Sequence, residues 1–329
     1  MRSIIKNMWE MYMLKNEAKK LWATMITPFT EEGNIDYPIL GSLLHWYEAR
    51  GVENFFTVCL SSEMMNLSLN EKIDLAKYVK DNTDKKHIVA AAGHVGGRIE
   101  QQIEDIGLIS KTGVDIIVIV LSLLVSQSED EEVLFNKIEK IITEYNDVDF
   151  GIYECPFPYK RLISDELLKR CNDTGRFVFF KDTCCNLKTI ERRLKILSDS
   201  KMKLYNANTA TLLESLKLGS SGYCGVMANF HPELYYLLLN NWDSISPRVD
   251  ILQAFLTMAS LLELHAYPVN AKYYLSLNQL GVGLNTRRID VNELNDTYRV
   301  EMHQLKAITE EMNKYFTEQL NGHYASIKL

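Results

Sequence analysis

The sequence has no long uninterrupted apolar segment and no concentration of charge of one sign. Its longest strongly apolar run, Val114 to Val125, contains Asp115 and is shorter than the roughly 20 residues that a helix needs to cross a bilayer. The first 20 residues carry charges throughout and do not resemble a signal peptide. The net charge is -7, and acidic and basic residues are intermixed along the sequence. The sequence therefore has no basic stripe of the kind that binds a phosphate backbone. We therefore expect a cytoplasmic protein with no membrane or nucleic-acid partner.

The sequence also lacks the motifs of disulfide-rich, zinc-binding and dinucleotide-binding proteins. Its six cysteines are scattered over 329 residues, whereas disulfide frameworks belong to short secreted chains. These cysteines show neither the C-x2-C pairing nor the histidine spacing typical of zinc. No G-x-G-x-x-G turn follows the first predicted strand. We therefore expect free thiols, no metal ion and no cofactor.

What the sequence does contain is a repeated alternation of short β-rich runs and longer segments with helical spacing of apolar residues. The predicted strands are Leu21 to Thr27, Asn54 to Cys59, His87 to Ala92, Asp115 to Val120, Phe150 to Glu154, Phe177 to Lys181, Lys203 to Ala207 and Tyr223 to Met227. Their nearly continuous Val, Ile and Phe content indicates burial on both faces and a parallel sheet. Eight such units predict an α/β fold, a (β/α)8 TIM barrel, although an open doubly wound sheet gives similar alternation.

Two further segments flank the predicted barrel, which we place at residues 21–246. Residues 1–20 have apolar side chains on one helical face, so we predict an N-terminal amphipathic helix that packs on the protein in preference to a membrane surface. Beyond Pro247 the strand signals stop. Residues 247–329 are therefore predicted to form a helical C-terminal extension, broken near Tyr267-Pro268 and Gly281 to Asn285.

The strongest candidate for chemistry is Lys181, which follows the apolar run Phe-Val-Phe-Phe of the sixth predicted strand. Reacting groups of such barrels project from the carboxyl ends of the strands. Desolvation there disfavours the ammonium form, and a neutral lysine attacks ketones to form an imine. The alternative is a structural lysine paired with Asp182.

Two other strand ends carry polar groups. Tyr153 ends the fifth strand, where its phenol would relay protons or simply pack at the rim. After the second strand, the turn Cys59 to Glu63 offers backbone N–H groups and the hydroxyls of Ser61 and Ser62. These groups suit a carboxylate ligand, although the same residue types are common at helix N-caps.

Further landmarks occur in a consistent order along the chain. They are Thr27-Pro28-Phe29 with Gly33 and Asp36, the turn Cys59 to Glu63 with Leu67-Ser68 and Glu71, Tyr153 with Pro156, Lys181-Asp182-Thr183, Gly219 and Gly222 with Ala228-Asn229 and Pro232, and Tyr267-Pro268 with Lys272, Gly281 and Arg287-Arg288. Together they resemble the dihydrodipicolinate synthase and N-acetylneuraminate lyase family of class I pyruvate-type aldolases.

The resemblance implies a role for each candidate residue. Lys181 would form the Schiff base and Tyr153 would relay protons. Ser61 would connect this phenol to solvent and help to hold the substrate carboxylate. Backbone N–H groups of Leu60 and Ser61 would bind that carboxylate, and Cys224 would line the pocket. The implied partners are a small 2-oxo acid substrate and further copies of the chain, in a dimer or tetramer.

Several positions depart from the family pattern. Cys59 and Ser62 replace the two glycines of the turn, and Leu60 replaces a hydroxyl residue. Ser122-Leu123-Leu124 stands where the family commonly has P-Y-Y, and Pro158 stands where dihydrodipicolinate synthases have an arginine. These departures argue against lysine-pathway activity and favour a more apolar aldehyde partner.

Three functional hypotheses follow. The leading one is a Schiff-base lyase or aldolase that cleaves or forms a carbon–carbon bond next to a pyruvate-like 2-oxo acid. The second is a dehydratase or decarboxylase of a keto-deoxy sugar acid that uses the same imine. The third is an inactive barrel retained as a binding or regulatory protein.

Overall fold

A computed structural model describes residues 18–244 and 246–320, with side chains described as far as residue 316. Eight parallel strands close into a barrel because β1 pairs with both β2 and β8. The strands are β1 Lys20–Thr24, β2 Asn54–Val58, β3 Ile88–Ala92, β4 Ile116–Val120, β5 Asp149–Tyr153, β6 Phe177–Asp182, β7 Lys203–Asn206 and β8 Gly222–Tyr223. The predicted TIM barrel is confirmed.

A helix follows each strand and covers the outside of the barrel. These helices are α1 Tyr37–Glu48, α2 Leu69–Asn82, α3 Ile99–Ser110, the single turn α4 Leu121–Leu124, α5 Glu131–Glu144, α6 Asp165–Asp173, α7 Leu187–Ile196, α8 Leu212–Lys217 and α9 Pro232–Asn241. The C-terminal helices are α10 Pro247–Ala259, α11 Val269–Leu277 and α12 Asp296–Leu320. No helix in the described ranges combines the length and apolar character needed to cross a bilayer.

Several predicted boundaries differ from the observed ones, and β1 ends at Thr24 and not at Thr27. The eighth strand is Gly222–Tyr223, and residues Val226–Asn229 form a 3₁₀ helix in place of its predicted end. At the other end of the chain, Lys20 belongs to β1 and not to a helix, and residues 18 and 19 are irregular. The rest of the predicted N-terminal helix, residues 1–17, lies outside the described residues.

Large aromatic side chains fill the interior of the barrel beneath its carboxyl end. Phe179 lies 4.7 Å from Trp22, 5.3 Å from Tyr205 and 6.0 Å from Phe56, measured between ring centroids. The ring of Phe56 in turn meets Tyr153 at 5.6 Å. Because side chains alternate along a strand, residue 181 points into the barrel two positions beyond Phe179. These aromatic side chains therefore form a layer directly beneath the side chains at the carboxyl ends of the strands.

Closure of the barrel depends on Gly222, which pairs with Lys20 across the seam between β8 and β1. Its φ is +146°, and a Cβ atom there would lie 2.0 Å from the carbonyl oxygen of Lys20. Gly175 also has a positive φ, +67°, but no atom lies within 4 Å of its Cβ position. Both glycines have a positive φ, but only Gly222 also lacks space for a Cβ atom. Comparing alanine variants at the two positions therefore separates the steric effect from the cost of the backbone conformation.

We predict that Gly222→Ala lowers the free energy of unfolding by at least about 3 kcal/mol, because the methyl group forces the seam apart. Gly175→Ala should cost only about 1 to 2 kcal/mol, the usual penalty of a left-handed alanine. Urea denaturation of both variants measures the difference. Equal losses would show that the seam does not depend on the absence of a side chain at residue 222.

Candidate active site

Lys181 is the fifth residue of β6 and its side chain is only 4% exposed. Its Nζ lies 4.5 Å from the centroid of the Tyr153 ring and 5.6 Å from that of Phe56. Among the described residues no carboxylate forms an ion pair with it, and Asp182 binds Arg193. Lys181 therefore points into the barrel mouth as an amine bordered by aromatic faces.

Tyr153 ends β5 and is paired in register with Lys181. Its side chain is 3% exposed. Burial raises the pKa of its phenol well above 10, and the neighbouring Cys155, Cys59 and Cys224 raise it further. The phenol therefore keeps its proton at neutral pH and faces the same space as the amine.

Three thiols line this space with the two strand-end groups. Burial raises the pKa of Cys59, Cys155 and Cys224, that of Cys224 to about 12, and the charge of Lys181 opposes this rise in each thiol. All three thiols are buried and remain protonated at neutral pH. Cys224 thus lies beside Lys181, and the walls near the amine are largely apolar.

The turn from Cys59 to Glu63 is arranged around its own side chains. The Ser62 hydroxyl donates to the Cys59 carbonyl at 2.7 Å and accepts from the Cys59 N–H at 2.8 Å. The Cys59 sulfur faces the backbone N–H groups of Ser61 and Ser62 and lies 3.8 Å from the Met25 carbonyl oxygen. The Ser62 hydroxyl is therefore used within the turn, and its role in binding substrate stays a prediction. The sulfur also occupies the space that glycine would leave open before the Ser61 N–H group.

The hydroxyl of Ser61 faces the candidate site. It lies 3.4 Å from the hydroxyl of Thr24 and also faces the phenol of Tyr267. Asn229 donates to that phenol at 3.1 Å and to the Thr24 carbonyl at 2.9 Å. A hydroxyl network therefore connects the turn after β2 with β1 and with the C-terminal extension, and the half-buried Leu60 lies at its edge.

Glu63 closes this turn in a left-handed conformation, with a φ of 63°. Such a conformation is costly for a residue with a side chain. The buried carboxylate receives Lys272 Nζ at 2.8 Å, the Thr286 hydroxyl at 2.7 Å and the Arg287 N–H at 2.6 Å. Three donors from the C-terminal extension therefore hold the turn in place.

A buried ion triad lies directly behind Lys181 and Tyr153. Arg193, on α7, donates to Glu154 at 2.6 and 3.2 Å and also binds Asp182. Glu154 and Asp182 each follow one of the two candidate catalytic residues and point to the outside of the strands. Burial raises the pKa of the Glu154 carboxyl, and the charge of Arg193 opposes that rise. One guanidinium thus joins the carboxyl ends of β5 and β6.

Sequence reasoning missed Arg193 and Glu263. In the sequence, the partners of Arg193, Glu154 and Asp182, could be recognised only as the residues that follow Tyr153 and Lys181. Glu263 lies in the 3₁₀ helix Ser260–Leu264 of the C-terminal extension, and its charge interacts with that of Lys181. The available signal was a single acidic residue within the run Leu-Leu-Glu-Leu, but the sequence does not show that this run lies near β6.

A cavity of about 430 Å³ opens at the opposite end of the barrel, where Lys20, Glu53, His87 and Tyr205 are among its lining residues. These residues lie at or near the starts of their strands, the face of such barrels that serves stability and not catalysis. Within the described ranges, no group of three or more His, Cys, Asp or Glu side chains is placed to hold a metal ion. The candidate site is therefore the carboxyl end around Lys181.

The chain is similar to several known proteins. A sequence model described as the dihydrodipicolinate synthetase family matches residues 17–308. A 4-hydroxy-tetrahydrodipicolinate synthase of Clostridium perfringens is 23% identical over 288 residues, covering 86% of this chain and 96% of that protein. A 2-dehydro-3-deoxy-D-gluconate/2-dehydro-3-deoxy-phosphogluconate aldolase of Picrophilus torridus is 28% identical over 224 residues, covering 66% and 80%.

A solved structure shares the fold. It is a prophage protein of the dihydrodipicolinic acid synthase family from E. coli K12, in complex with pyruvate. It superposes with a TM-score of 0.79 at 18% identity and covers 90% of this chain and 98% of its own.

Removal of Arg193 should destabilise the protein strongly. We predict that Arg193→Met lowers the free energy of unfolding by about 3 to 5 kcal/mol at neutral pH, because two buried carboxylates lose their counter-charge. The loss should shrink as the pH falls, since unpaired buried carboxyls take up protons. The adjacent Arg192, paired with Asp165 at the surface, provides the control, and Arg192→Met should cost at most about 1 kcal/mol. Denaturation at several pH values tests this, and similar losses for both variants would contradict it.

Proposed function

Since this chain belongs to the dihydrodipicolinate synthetase family, whose members are class I lyases and aldolases, we propose that Lys181 forms a Schiff base with a pyruvate-like 2-oxo acid. The imine then serves as the electron sink for cleaving or forming the adjacent carbon–carbon bond. The observation that carries this proposal is the placement of Lys181, which is buried, without an ion pair among the described residues, and in register with Tyr153.

The neighbouring groups suit distinct roles in this reaction. The Tyr153 phenol retains its proton and donates it near the amine. The Ser61 hydroxyl and the Leu60 N–H group hold the substrate carboxylate, while Cys224 shapes the wall beside Lys181. Ser62 contributes indirectly, because its hydroxyl bonds to the Cys59 N–H and carbonyl groups and so fixes the shape of the turn.

The nature of the pocket argues for an aldehyde partner less polar than a sugar. Cys59, Cys155 and Cys224 are buried beside the amine. Leu124, which lies in the helical turn directly after β4, is also buried. Pro158 offers no cation where dihydrodipicolinate synthases have an arginine. We therefore assign a lyase or aldolase of divergent specificity and not a dihydrodipicolinate synthase.

Assembly into a homo-oligomer is part of the proposal. Large apolar side chains of α10 and of the following 3₁₀ helix are exposed, among them Met258 and Leu264. Clustered exposed apolar surface is typical of subunit contacts. The C-terminal extension, residues 247–329, is proposed to belong to the catalytic unit, because Lys272 and Arg287 bind the turn after β2.

Borohydride reduction in the presence of pyruvate tests the Schiff base directly. We predict a stable adduct on the peptide that contains Lys181, because reduction converts the imine into a secondary amine. Lys181→Met should abolish the adduct. Lys188→Met is the matched control, since Lys188 is an exposed lysine on α7, and it should label as the unmodified protein does. Peptide mass mapping after trapping with a panel of 2-oxo acids measures both outcomes.

Labelling of another lysine, or none, would contradict the proposal. Product analysis then separates the two enzymatic hypotheses, because only aldol cleavage yields pyruvate and an aldehyde. Dehydration of a keto-deoxy sugar acid leaves its carbon chain intact.

A further inference from the structure

The phenol of Tyr267 lies at the barrel mouth although its residue belongs to the C-terminal extension. Asn229, in the 3₁₀ helix after β8, donates a hydrogen bond from Nδ2 to the phenol oxygen at 3.1 Å. The same nitrogen lies 2.8 Å from the Val226 carbonyl oxygen and 2.9 Å from that of Thr24, the last residue of β1. The phenol oxygen is therefore fixed where the carboxyl ends of β8 and β1 meet.

The hydrogen bonds of Asn229 determine how the phenol takes part. Carbonyl oxygens only accept, so the atom of the Asn229 amide that faces Val226 and Thr24 must be the nitrogen. The amide oxygen correspondingly accepts from the Tyr47 hydroxyl at 2.5 Å. An amide nitrogen donates and does not accept, so the oxygen of Tyr267 is the acceptor in this contact. The phenol therefore keeps its own proton for another partner.

The hydroxyl of Ser61 borders the same space from the turn after β2. It lies 3.4 Å from the hydroxyl of Thr24, which in turn donates to the Gly225 carbonyl at 3.2 Å. Burial raises the pKa of the Tyr267 phenol well above 10, and a hydrogen bond from Ser61 opposes that rise. The phenol is thus protonated at neutral pH. Two hydroxyl donors, one from the turn and one from the extension, therefore lie side by side.

An unfavourable backbone conformation precedes Tyr267. Ala266 has a φ of 58°, in the left-handed region that is costly for a residue with a side chain. Its carbonyl accepts from the backbone N–H of Asn270 at 3.2 Å, and the side chain of Asn270 donates to the Leu262 carbonyl at 2.8 Å. Strained residues cluster at ligand-binding sites. The strain at Ala266 therefore agrees with a functional placement of the phenol that follows it.

A phenol at this point compensates for a departure from the family pattern. Leu60 stands where that pattern has a hydroxyl residue, and its side chain cannot donate a hydrogen bond. A carboxylate that enters the mouth needs donors for both of its oxygens, because an unsatisfied buried charge is costly. Tyr267 lies beside Ser61 and can supply the donor that Leu60 lacks.

We propose that Tyr267 is a substrate-binding residue whose O–H group donates to the carboxylate of the 2-oxo acid. The inference rests on the proposed Schiff-base function, which places the ketone carbon at Lys181. Lys181 is on β6, four strands from β2 in either direction around the barrel. The substrate therefore spans the mouth, with its ketone at the amine and its carboxylate at the pair of hydroxyls. Such a site selects ketones that carry an anionic group over neutral ketones.

The test compares Tyr267→Phe with the unmodified protein in borohydride trapping at a series of pyruvate concentrations. The concentration that gives the half-maximal rate of adduct formation should rise about 10-fold, because a hydrogen bond to a charged group is lost. The limiting rate at saturating pyruvate should change little, since the phenol takes no part in forming the imine. Tyr273→Phe removes another phenol of the extension, one that contacts His303 of α12 at 3.0 Å, and should behave as the unmodified protein.

Trapping with acetone separates substrate binding from a structural role. In acetone a methyl group replaces the carboxylate, so the Tyr267 phenol has no charged group to bind. Tyr267→Phe should therefore form the acetone adduct on Lys181 as fast as the unmodified protein does. Its preference for pyruvate over acetone should fall about 10-fold.

The outcomes distinguish this inference from the proposed function. An unchanged half-maximal concentration of pyruvate would overturn the role of Tyr267 and leave the Schiff base intact. Equal losses with pyruvate and acetone would also overturn it, because Tyr267 would then act only on the shape of the mouth. If the unmodified protein forms no Lys181 adduct with pyruvate, both the inference and the proposed function fail.

Discussion

The position of Lys181, the candidate Schiff-base residue, depends on the buried Arg193. Arg193 binds Glu154 and Asp182 on the outside of β5 and β6, and each of these carboxylates directly follows Tyr153 or Lys181. Side chains alternate across a strand, so two outward carboxylates held by one guanidinium place the phenol and the amine together inside. The same ion triad keeps Asp182 from neutralising Lys181. Buried ion pairs add little net stability, and their value here is the fixed geometry of two neighbouring strand ends.

A second buried ion pair, between Lys272 and Glu63, fixes the turn after β2 on the far side of the barrel mouth. Lys272 and the residues Thr286 and Arg287 hold Glu63 in its left-handed turn, and Arg287 also binds Glu71 at 2.6 Å and the Gly33 carbonyl at 2.7 Å. The C-terminal extension is thus bonded to the loops after β1 and β2. These contacts explain how the turn keeps its shape although Cys59 and Ser62 replace glycines.

Much of the barrel was predictable because buried parallel strands leave a strong local signal. Lys181 and Tyr153 stand at the carboxyl ends of such strands, so their position at the barrel mouth could be predicted from the fold. The eighth strand was predicted to be too long, because Val226 and Met227 are apolar but belong to a 3₁₀ helix. The internal hydrogen bonds of Ser62 and the partial burial of Glu263 could not be predicted for another reason. The partner of a hydroxyl and the burial of a carboxyl depend on tertiary contacts that no local sequence pattern encodes.

The central claim is that an amine held at the barrel mouth meets the ketone carbon of a 2-oxo acid. A crystal structure of the borohydride-reduced complex with pyruvate tests this most directly. The account predicts continuous electron density from Nζ of Lys181 to the substrate, with the substrate carboxylate beside Ser61 and with Arg193 still joining β5 to β6. Density for pyruvate in the cavity at the opposite end of the barrel, or a Lys181 side chain turned out of the mouth, would contradict it.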